Sequence, residues 1–181
     1  MMTGPDPSRP FLPLAIAVLT VSDTRGLGDD RSGDTLVERL GKAGHRLAER
    51  AIVQDDVEAI RARVRAWIAD PGIDVVITTG GTGFTGRDVT PEAIEPLFEK
   101  RMEGFSAVFH RISYDKIGTS TIQSRATGGL IGTTFVFCLP GSRGACSDGT
   151  CRSSRSAASN HPPGPESIGR AASRHRCSRG S

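Results

Sequence analysis

A glycine-rich turn that joins an apolar run to a helix start restricts the fold of this chain more than any other feature. The apolar run covers residues 73–77, and the turn places four glycines between positions 80 and 86. Short apolar runs bounded by turn residues are typical of buried strands. Thr90 and Pro91, which come next, suit the cap and the first position of a helix. The sequence therefore predicts a strand, a turn and a helix in direct succession.

The predicted turn has the chemistry of an anion-binding site. Glycines allow backbone N–H groups to approach a phosphate closely, and the dipole of the following helix favours the negative charge. Asp88 lies in the same turn, and a carboxylate beside a bound phosphate usually manages a divalent cation or a proton. We therefore expect the chain to bind a phosphorylated small molecule.

Apolar runs and amphipathic stretches alternate along the rest of the chain. We predict strands at 14–21, 47–53, 73–78 and 133–139, helices at 34–43, 57–68, from 91 and around 105–112, and a loop at 118–126. Trp67 shares one helix face with Val64 and Ile68, so it is expected in the core. Strands that alternate with helices predict a parallel sheet covered on both faces.

Polar segments follow three of the predicted strands. Ser22 and Asp23 follow the first strand, the glycine turn follows the third, and Pro140-Gly141-Ser142 follows the last. Ligands of such sheets bind beyond the carboxyl ends of the strands. We therefore expect these segments to meet at one edge of the sheet.

Two common phosphate-binding motifs match the turn only in part. A P-loop needs a lysine and a serine or threonine after its last glycine, whereas Arg87 and Asp88 follow Gly86. The dinucleotide pattern G-x-G-x-x-G is present at 81–86, but that motif opens a helix directly. Here the helix start waits until Pro91, so dinucleotide binding is the weaker alternative.

Five segments of the chain together resemble the MoaB/Mog family of molybdenum cofactor biosynthesis proteins: VLTVSDTR, TTGGTGFTGRDVTPEA, EGF, GTSTIQSRA and FCLPGS. The resemblance runs in unbroken order from about Leu14 to Asp148. It implies an α/β fold, a three-layer αβα sandwich with a mostly parallel central sheet, assembled as a homotrimer or homohexamer. It also implies binding of molybdopterin and, as in the family's enzymes, Mg²⁺- and ATP-dependent adenylylation of its terminal phosphate by a nucleotidyltransferase.

The resemblance also implies which residues form the site. Asp55 and Asp88 match the family's two aspartates and are expected to act in catalysis, to hold Mg²⁺ and to orient the pterin. Asp55 has a plainer alternative role as the N-cap of the next helix, which Asp56 could equally fill. Substrate and phosphate contacts are expected from Ser22, Asp23, Thr79, Gly80, Gly81, Thr82, Gly83, Ser124, Arg125, Pro140, Gly141 and Ser142.

A second function, from another class, stays open. Such a protein would bind molybdopterin or a nucleotide without turnover, as a carrier or assembly partner in the same pathway. Other molybdenum cofactor biosynthesis proteins are candidate partners under either function.

The basic character of the chain comes from its last residues. Residues 147–181 hold six arginines and two acidic residues, so their charge of +4 exceeds the net +3 of the chain and leaves about −1 for residues 1–146. A nucleic-acid partner is therefore not expected. No apolar run reaches membrane-spanning length, and three of the four cysteines lie in or beside this tail, unlike a secreted disulfide framework. We expect a cytoplasmic protein without a membrane partner.

Composition divides the chain into three parts. Residues 1–12, rich in proline, are predicted to be a flexible lead, and 13–146 the molybdopterin-binding domain. Residues 147–181 lack apolar periodicity and are predicted to be disordered. The family continues there with an amphipathic helix, so the abrupt change suggests a shifted reading frame or a divergent end. Loss of that helix predicts reduced stability.

Overall fold

The computed structural model describes residues 10–142 and 144–146. The strands are β1 (Ala15–Val21), β2 (Arg46–Val53), β3 (Val75–Thr79), β4 (Lys100–Arg101), β5 (Thr127–Ile131) and β6 (Thr134–Leu139). The α-helices are α1 (Arg31–Lys42), α2 (Val57–Ile68), α3 (Thr90–Ile94) and α4 (Glu103–Ile117), with short 3₁₀ helices at Leu27–Asp29, Glu95–Leu97 and Gly118–Gln123. Most of the predicted lead and the whole predicted tail lie outside the described residues, so both remain predictions.

One six-stranded sheet of order β2-β1-β3-β6-β5-β4 forms the centre of the molecule. The first four strands of that order are parallel, whereas β5 runs antiparallel to β6, and β4 runs antiparallel to β5. Thr79 of β3 pairs with Thr20 of β1 and with Leu139 of β6, so the carboxyl ends of these strands lie level. The predicted mostly parallel sheet is confirmed.

Helices cover both faces of this sheet. On one face α1 and α4 bury Leu36, Leu40 and Phe109 against alternate strand residues. On the other face α2 and α3 bury Trp67 and Ile94 against the residues between them. Trp67 is 2% exposed, which confirms it in the core, and a large apolar side chain buried in this way stabilises the fold by about 1.5–3 kcal/mol. The three-layer sandwich follows.

Two helix starts differ from the sequence-based expectation. The first helix begins at Arg31 rather than 34, because Asp30 caps it by accepting a hydrogen bond from the Gly33 amide at 2.9 Å. The predicted cap by Thr90 is wrong. Val89 holds the cap position without a side-chain bond, and the Thr90 hydroxyl donates instead to the Gly80 carbonyl at 2.9 Å.

Strands β4 and β5 were not predicted, and the predicted loop at 118–126 begins with a 3₁₀ helix. Strand β5 contains Gly128 and Gly129, which weaken a strand pattern in the sequence. Packing explains why both of these positions are glycine. A Cβ at Gly129 would lie 2.5 Å from the Phe98 ring, and one at Gly128 would lie 3.0 Å from the Phe137 ring.

Among residues 10–142 and 144–146, no helix is long and apolar enough to cross a membrane.

Candidate functional site

A cleft of about 470 Å³ opens at the carboxyl ends of the parallel strands. It contains most of the residues expected in a site, because the ends of β1, β2, β3 and β6 lie at the same edge of the sheet. Eleven predicted site residues line it: Ser22, Asp55, Gly80, Gly81, Thr82, Gly83, Asp88, Ser124, Pro140, Gly141 and Ser142. Asp23, Thr79 and Arg125 do not line it.

The glycine turn forms the floor of this cleft in a conformation that only glycine suits. Gly80 and Gly81 have φ angles of +101° and +61°. A Cβ at Gly80 would lie 2.2 Å from the Val21 carbonyl oxygen, and one at Gly81 would lie 2.3 Å from the Thr90 hydroxyl. The turn therefore packs directly against the end of β1 and the start of α3.

The amide groups of the turn are not equivalent. The Gly80 amide donates to the Leu139 carbonyl at 3.1 Å and so continues the sheet. Within the described residues, the Gly81 and Thr82 amides donate to no protein acceptor, although both residues line the cleft. These two N–H groups, unlike that of Gly80, are therefore candidate donors to an anion in the cleft.

Arg125 supports the turn from its outer side. Its Nη2 donates to the Asp88 carbonyl at 2.8 Å, and its Nε donates to the Thr82 carbonyl at 3.3 Å. It also pairs with Glu92 and lies over the Phe84 ring. The guanidinium is thus engaged with the protein on several sides and holds the shape of the turn.

Asp88 is fixed within the turn. Its Oδ2 accepts hydrogen bonds from the Thr85 amide at 3.0 Å and from the Thr85 hydroxyl at 2.5 Å. The bond from the Thr85 hydroxyl is the main reason why the pKa of Asp88 lies below its usual value, against the opposing effect of burial. Asp88 is therefore a rigid, ionised carboxylate.

Asp55 has the opposite environment. Asp56 caps α2 by accepting from the Ala59 amide at 2.8 Å, so Asp55 is not needed as a cap. Among the described residues, no hydrogen bond to the Asp55 carboxylate is present. Partial burial, followed by the charges of Asp23 and Asp88, raises its pKa. Two nearby carboxyls with pKa values shifted in opposite directions can divide acid and base roles between them.

Asp23 lies just outside the cleft and links three segments. Its Oδ1 accepts from the Asp55 amide at 3.1 Å. Its Oδ2 accepts from Arg87 through Nε at 2.9 Å and Nη2 at 2.6 Å, and these bonds lower the pKa of Asp23. Asp23 therefore positions the Asp55 backbone and tethers the outer part of the glycine turn.

Thr79 lies beneath the cleft, fully buried. Its hydroxyl donates to the Pro140 carbonyl at 3.1 Å, which fixes the segment that follows β6. Gly141 of that segment approaches the turn so closely that a Cβ there would lie 3.2 Å from the Gly80 Cα. Thr79 thus shapes the cleft from below.

The structure adds basic and hydroxyl groups that the sequence interpretation missed. Arg25 lines the cleft, as do Lys116 and Ser113 of α4 and Thr121 of the following 3₁₀ helix. A signal was present for Arg25, which stands three residues after Ser22 at a strand end. For α4 the signal was the spacing of Ser113 and Lys116 from the buried Phe109, which places all three toward one side of the helix.

Asp55 and Asp88 are the carboxylates that line the cleft among the described residues. In the part of the chain that the structure describes, no group of three or more histidine, cysteine, aspartate or glutamate side chains could hold a metal ion. Asp55 and Asp88 line the same cleft and interact electrostatically. Two carboxylates suit Mg²⁺, which commonly takes one or two of them and completes its shell with water and substrate phosphate.

Comparisons with known proteins agree with this geometry. A family model described as "Probable molybdopterin binding domain" matches residues 17–152. Molybdenum cofactor biosynthesis protein B of Escherichia coli strain K12 is 50% identical over 139 residues, which cover 77% of this chain and 82% of that protein.

Solved structures show the same similarity. A crystal structure of a molybdenum cofactor biosynthesis protein B superposes with a TM-score of 0.74 at 40% identity, covering 93% of this chain and 99% of that one. The tungsten cofactor synthesizing protein MoaB from Pyrococcus furiosus superposes with a TM-score of 0.71 at 39% identity, covering 77% and 89%.

Proposed function

Because the chain belongs to the family of molybdenum cofactor biosynthesis proteins with a molybdopterin-binding domain, we propose that it binds molybdopterin in the cleft and adenylylates its terminal phosphate with Mg²⁺ and ATP. One observation carries the proposal. Two carboxyls with opposite pKa shifts lie in one cleft with two backbone amides that have no protein acceptor among the described residues.

The proposed reaction is a nucleotidyl transfer. A phosphate oxygen of molybdopterin attacks the α-phosphorus of ATP and forms a new P–O bond. The bond between the α-phosphorus and its bridging oxygen breaks, and that oxygen leaves with the electron pair on pyrophosphate. Reactions of this kind depend on alignment and charge neutralisation more than on covalent help from the protein.

The glycine turn supplies the alignment. Amides of Gly81 and Thr82 would donate to a phosphate oxygen, and their positions are fixed by the bonds from Gly80 to Leu139 and from Thr90 to Gly80. Donors held in place before the ligand arrives lose little free energy to reorganisation.

The two aspartates divide the remaining work. Asp88, held by Thr85, and Asp55 would both contact Mg²⁺, which when bound neutralises phosphate charge. Asp55, whose pKa is raised, would accept hydrogen bonds from N–H groups of the pterin ring. Ser22, Ser124 and the 140–142 segment would enclose the ligand from the sides.

An assay with purified protein, molybdopterin, ATP and Mg²⁺ tests this function. We expect adenylylated molybdopterin together with an equal amount of pyrophosphate. Asp55→Asn and Asp88→Asn should each lower turnover about 100-fold or more with a much smaller loss of molybdopterin affinity, because the contacts act in the transition state. Asp115→Asn, at an exposed position of α4, is the control and should behave as wild type.

Calorimetric titration with molybdopterin separates the proposed function from its alternative. Tight binding without either product would assign the non-catalytic carrier or assembly function, in which the aspartate variants lose affinity only. Absence of molybdopterin binding would exclude the proposed function and a molybdopterin carrier, and would leave only a carrier of a nucleotide.

A further inference from the structure

We propose that Arg25 binds a phosphate group of the ligand and that Ser32, held by a buried ionic network, positions it. This inference rests on the proposed function and adds to it a residue outside the predicted site. Arg25 is partly buried and lines the cleft, so its charge is available to a ligand there.

The guanidinium lies close to the glycine turn. Its Nη1 is 4.0 Å from the position of a Cβ on Gly141, and that same position is 3.2 Å from the Gly80 Cα. Arg25 therefore stands beside the junction of the two segments, and it lines the same cleft as Gly81 and Thr82. A guanidinium and backbone amides that line one cleft can together bind an oxyanion.

The other charges of the cleft favour the same placement. Asp55 and Asp88 both line the cleft as carboxylates, and either would repel an uncompensated phosphate. A phosphate group binds with the most favourable electrostatic energy where a cation is near and where the carboxylates are farther away or neutralised by Mg²⁺. Arg25 provides that cation on the side of the cleft formed by the β1 and β6 ends.

A buried network fixes the orientation of Arg25. Its Nη1 donates to the Ser32 hydroxyl at 2.9 Å, and that hydroxyl donates to Asp30 at 3.2 Å. Ser32 is 1% exposed and Asp30 is fully buried. Thr20, through its hydroxyl, also donates to Asp30 at 2.7 Å. The serine therefore has one orientation, in which its oxygen faces Arg25.

Arg50 compensates the charge of this network. Its Nη2 lies 2.8 Å from the Asp30 carboxylate, and its Nη1 lies 2.7 Å from Asp34. The buried Asp30 charge is thus already paired. Within the described part of this network, Arg25 contacts the neutral Ser32 hydroxyl and no carboxylate, so its positive charge is available in the cleft that it lines.

Charge-matched variants test the role of Arg25. Arg25→Gln and Arg31→Gln each remove one positive charge, and the two positions are close in the chain. The Arg31 side chain is 76% exposed, and within the described residues its ion pair is with the exposed Asp29. Titrations use molybdopterin, the same pterin after phosphatase treatment, and ATP. Thermal melting checks that each variant is folded.

We expect Arg25→Gln to weaken binding of molybdopterin, ATP or both about tenfold or more, as for loss of a charge-assisted hydrogen bond. Affinity for the dephosphorylated pterin should change less than about twofold, because that ligand has no phosphate for Arg25 to contact. Ser32→Ala should lower the affinity for the same phosphorylated ligand about threefold, and Arg25→Lys should restore part of the affinity lost in Arg25→Gln. The ligand whose affinity falls identifies which phosphate Arg25 contacts.

The inference is overturned if Arg25→Gln matches Arg31→Gln for every ligand, or if the dephosphorylated pterin loses as much affinity as the phosphorylated one. Failure of the proposed function looks different. Wild-type protein would then form no adenylylated molybdopterin, or would bind neither pterin, while the ATP titration would still report on Arg25.

Discussion

Asp55 combines a role in the cleft with an unfavourable setting for its charge. Burial and the neighbouring Asp23 and Asp88 carboxylates raise its pKa, whereas Thr85 lowers that of Asp88. A raised pKa in the folded state means that the native protein binds this proton more readily than the unfolded chain does. The ionised form of Asp55 therefore opposes folding, as is common for groups placed for function rather than stability.

Replacing Asp55 should for this reason stabilise the fold at neutral pH. The cost is absent below the unfolded pKa of about 3.9, grows as the pH rises through the higher folded pKa, and is complete above it. We expect Asp55→Asn to raise the free energy of unfolding at pH 7 by less than about 1 kcal/mol, since solvent screens part of the effect.

Urea unfolding of both proteins at pH 7 and pH 3 measures this difference, which should shrink toward zero at pH 3. The exposed Asp115→Asn variant should show no gain at either pH. Equal stability of wild type and Asp55→Asn at pH 7 would contradict the expectation.

At the scale of elements, the glycine turn depends on single backbone positions. Gly80 has a φ of +101°, and a Cβ there would lie 2.2 Å from the Val21 carbonyl. Gly86 belongs to the same turn, has an ordinary φ and has nothing within 4 Å of its Cβ position. The two glycines therefore differ in what a methyl group would meet.

Gly80→Ala should lower the free energy of unfolding by about 2–4 kcal/mol, through a strained conformation and a backbone clash. Gly86→Ala should change it by less than about 0.5 kcal/mol. Chemical denaturation of the two variants checks the contrast. Similar losses at both positions would show that the turn tolerates or rejects side chains generally.

The sequence predicted the elements whose signals are local. The buried strands β1, β3 and β6 are continuous apolar runs, and the turn at 80–86 is marked by its glycines. Strand β5 was missed because Gly128 and Gly129 fit the Phe137 and Phe98 rings, and such packing is visible only in three dimensions. The proposed role of Arg25 was missed for the same reason, since its contact with Ser32 forms only in the fold.

The structure places Asp55 and Asp88 in one cleft; Asp55 comes shortly after the end of β2, and Asp88 lies in the glycine turn that follows β3. Their predicted roles in catalysis and metal binding stay predictions. The sequence did not show that Thr79 and Arg125 support the cleft rather than line it. In the structure, the Thr79 hydroxyl donates to the Pro140 carbonyl, and the Arg125 guanidinium donates to the Thr82 and Asp88 carbonyls. Both side chains therefore support the walls of the cleft, which the sequence alone did not indicate.

At the scale of the whole molecule, the outer side of α4 and the segment after it is apolar and uncovered. Val108, Tyr114 and Ile122 are 42–71% exposed there, whereas Ile117, which is 58% exposed, lines the cleft. Groups of exposed apolar side chains mark contact surfaces in many soluble proteins. We propose that this surface takes part in self-association into a trimer or hexamer.

Light scattering measures the resulting mass. Wild-type protein should show three or six times the chain mass of 19.2 kDa. Ile122→Lys, at a position 71% exposed, should shift the mass toward one chain, because a buried lysine charge disfavours association. Leu12→Lys, at an exposed position outside this surface, should leave the mass unchanged, and a single-chain mass for wild type would exclude the assembly.

The attachment of the glycine turn to the sheet has a kinetic consequence. Gly80 extends the β3–β6 hydrogen bonding, and Thr90 and Arg125 hold the carbonyls beyond it. The binding surface is formed before the ligand arrives, so binding requires no loop closure. We therefore expect an association rate constant in the usual range for rigid sites. Differences in affinity among variants should then appear mainly as differences in the dissociation rate constant of the ligand.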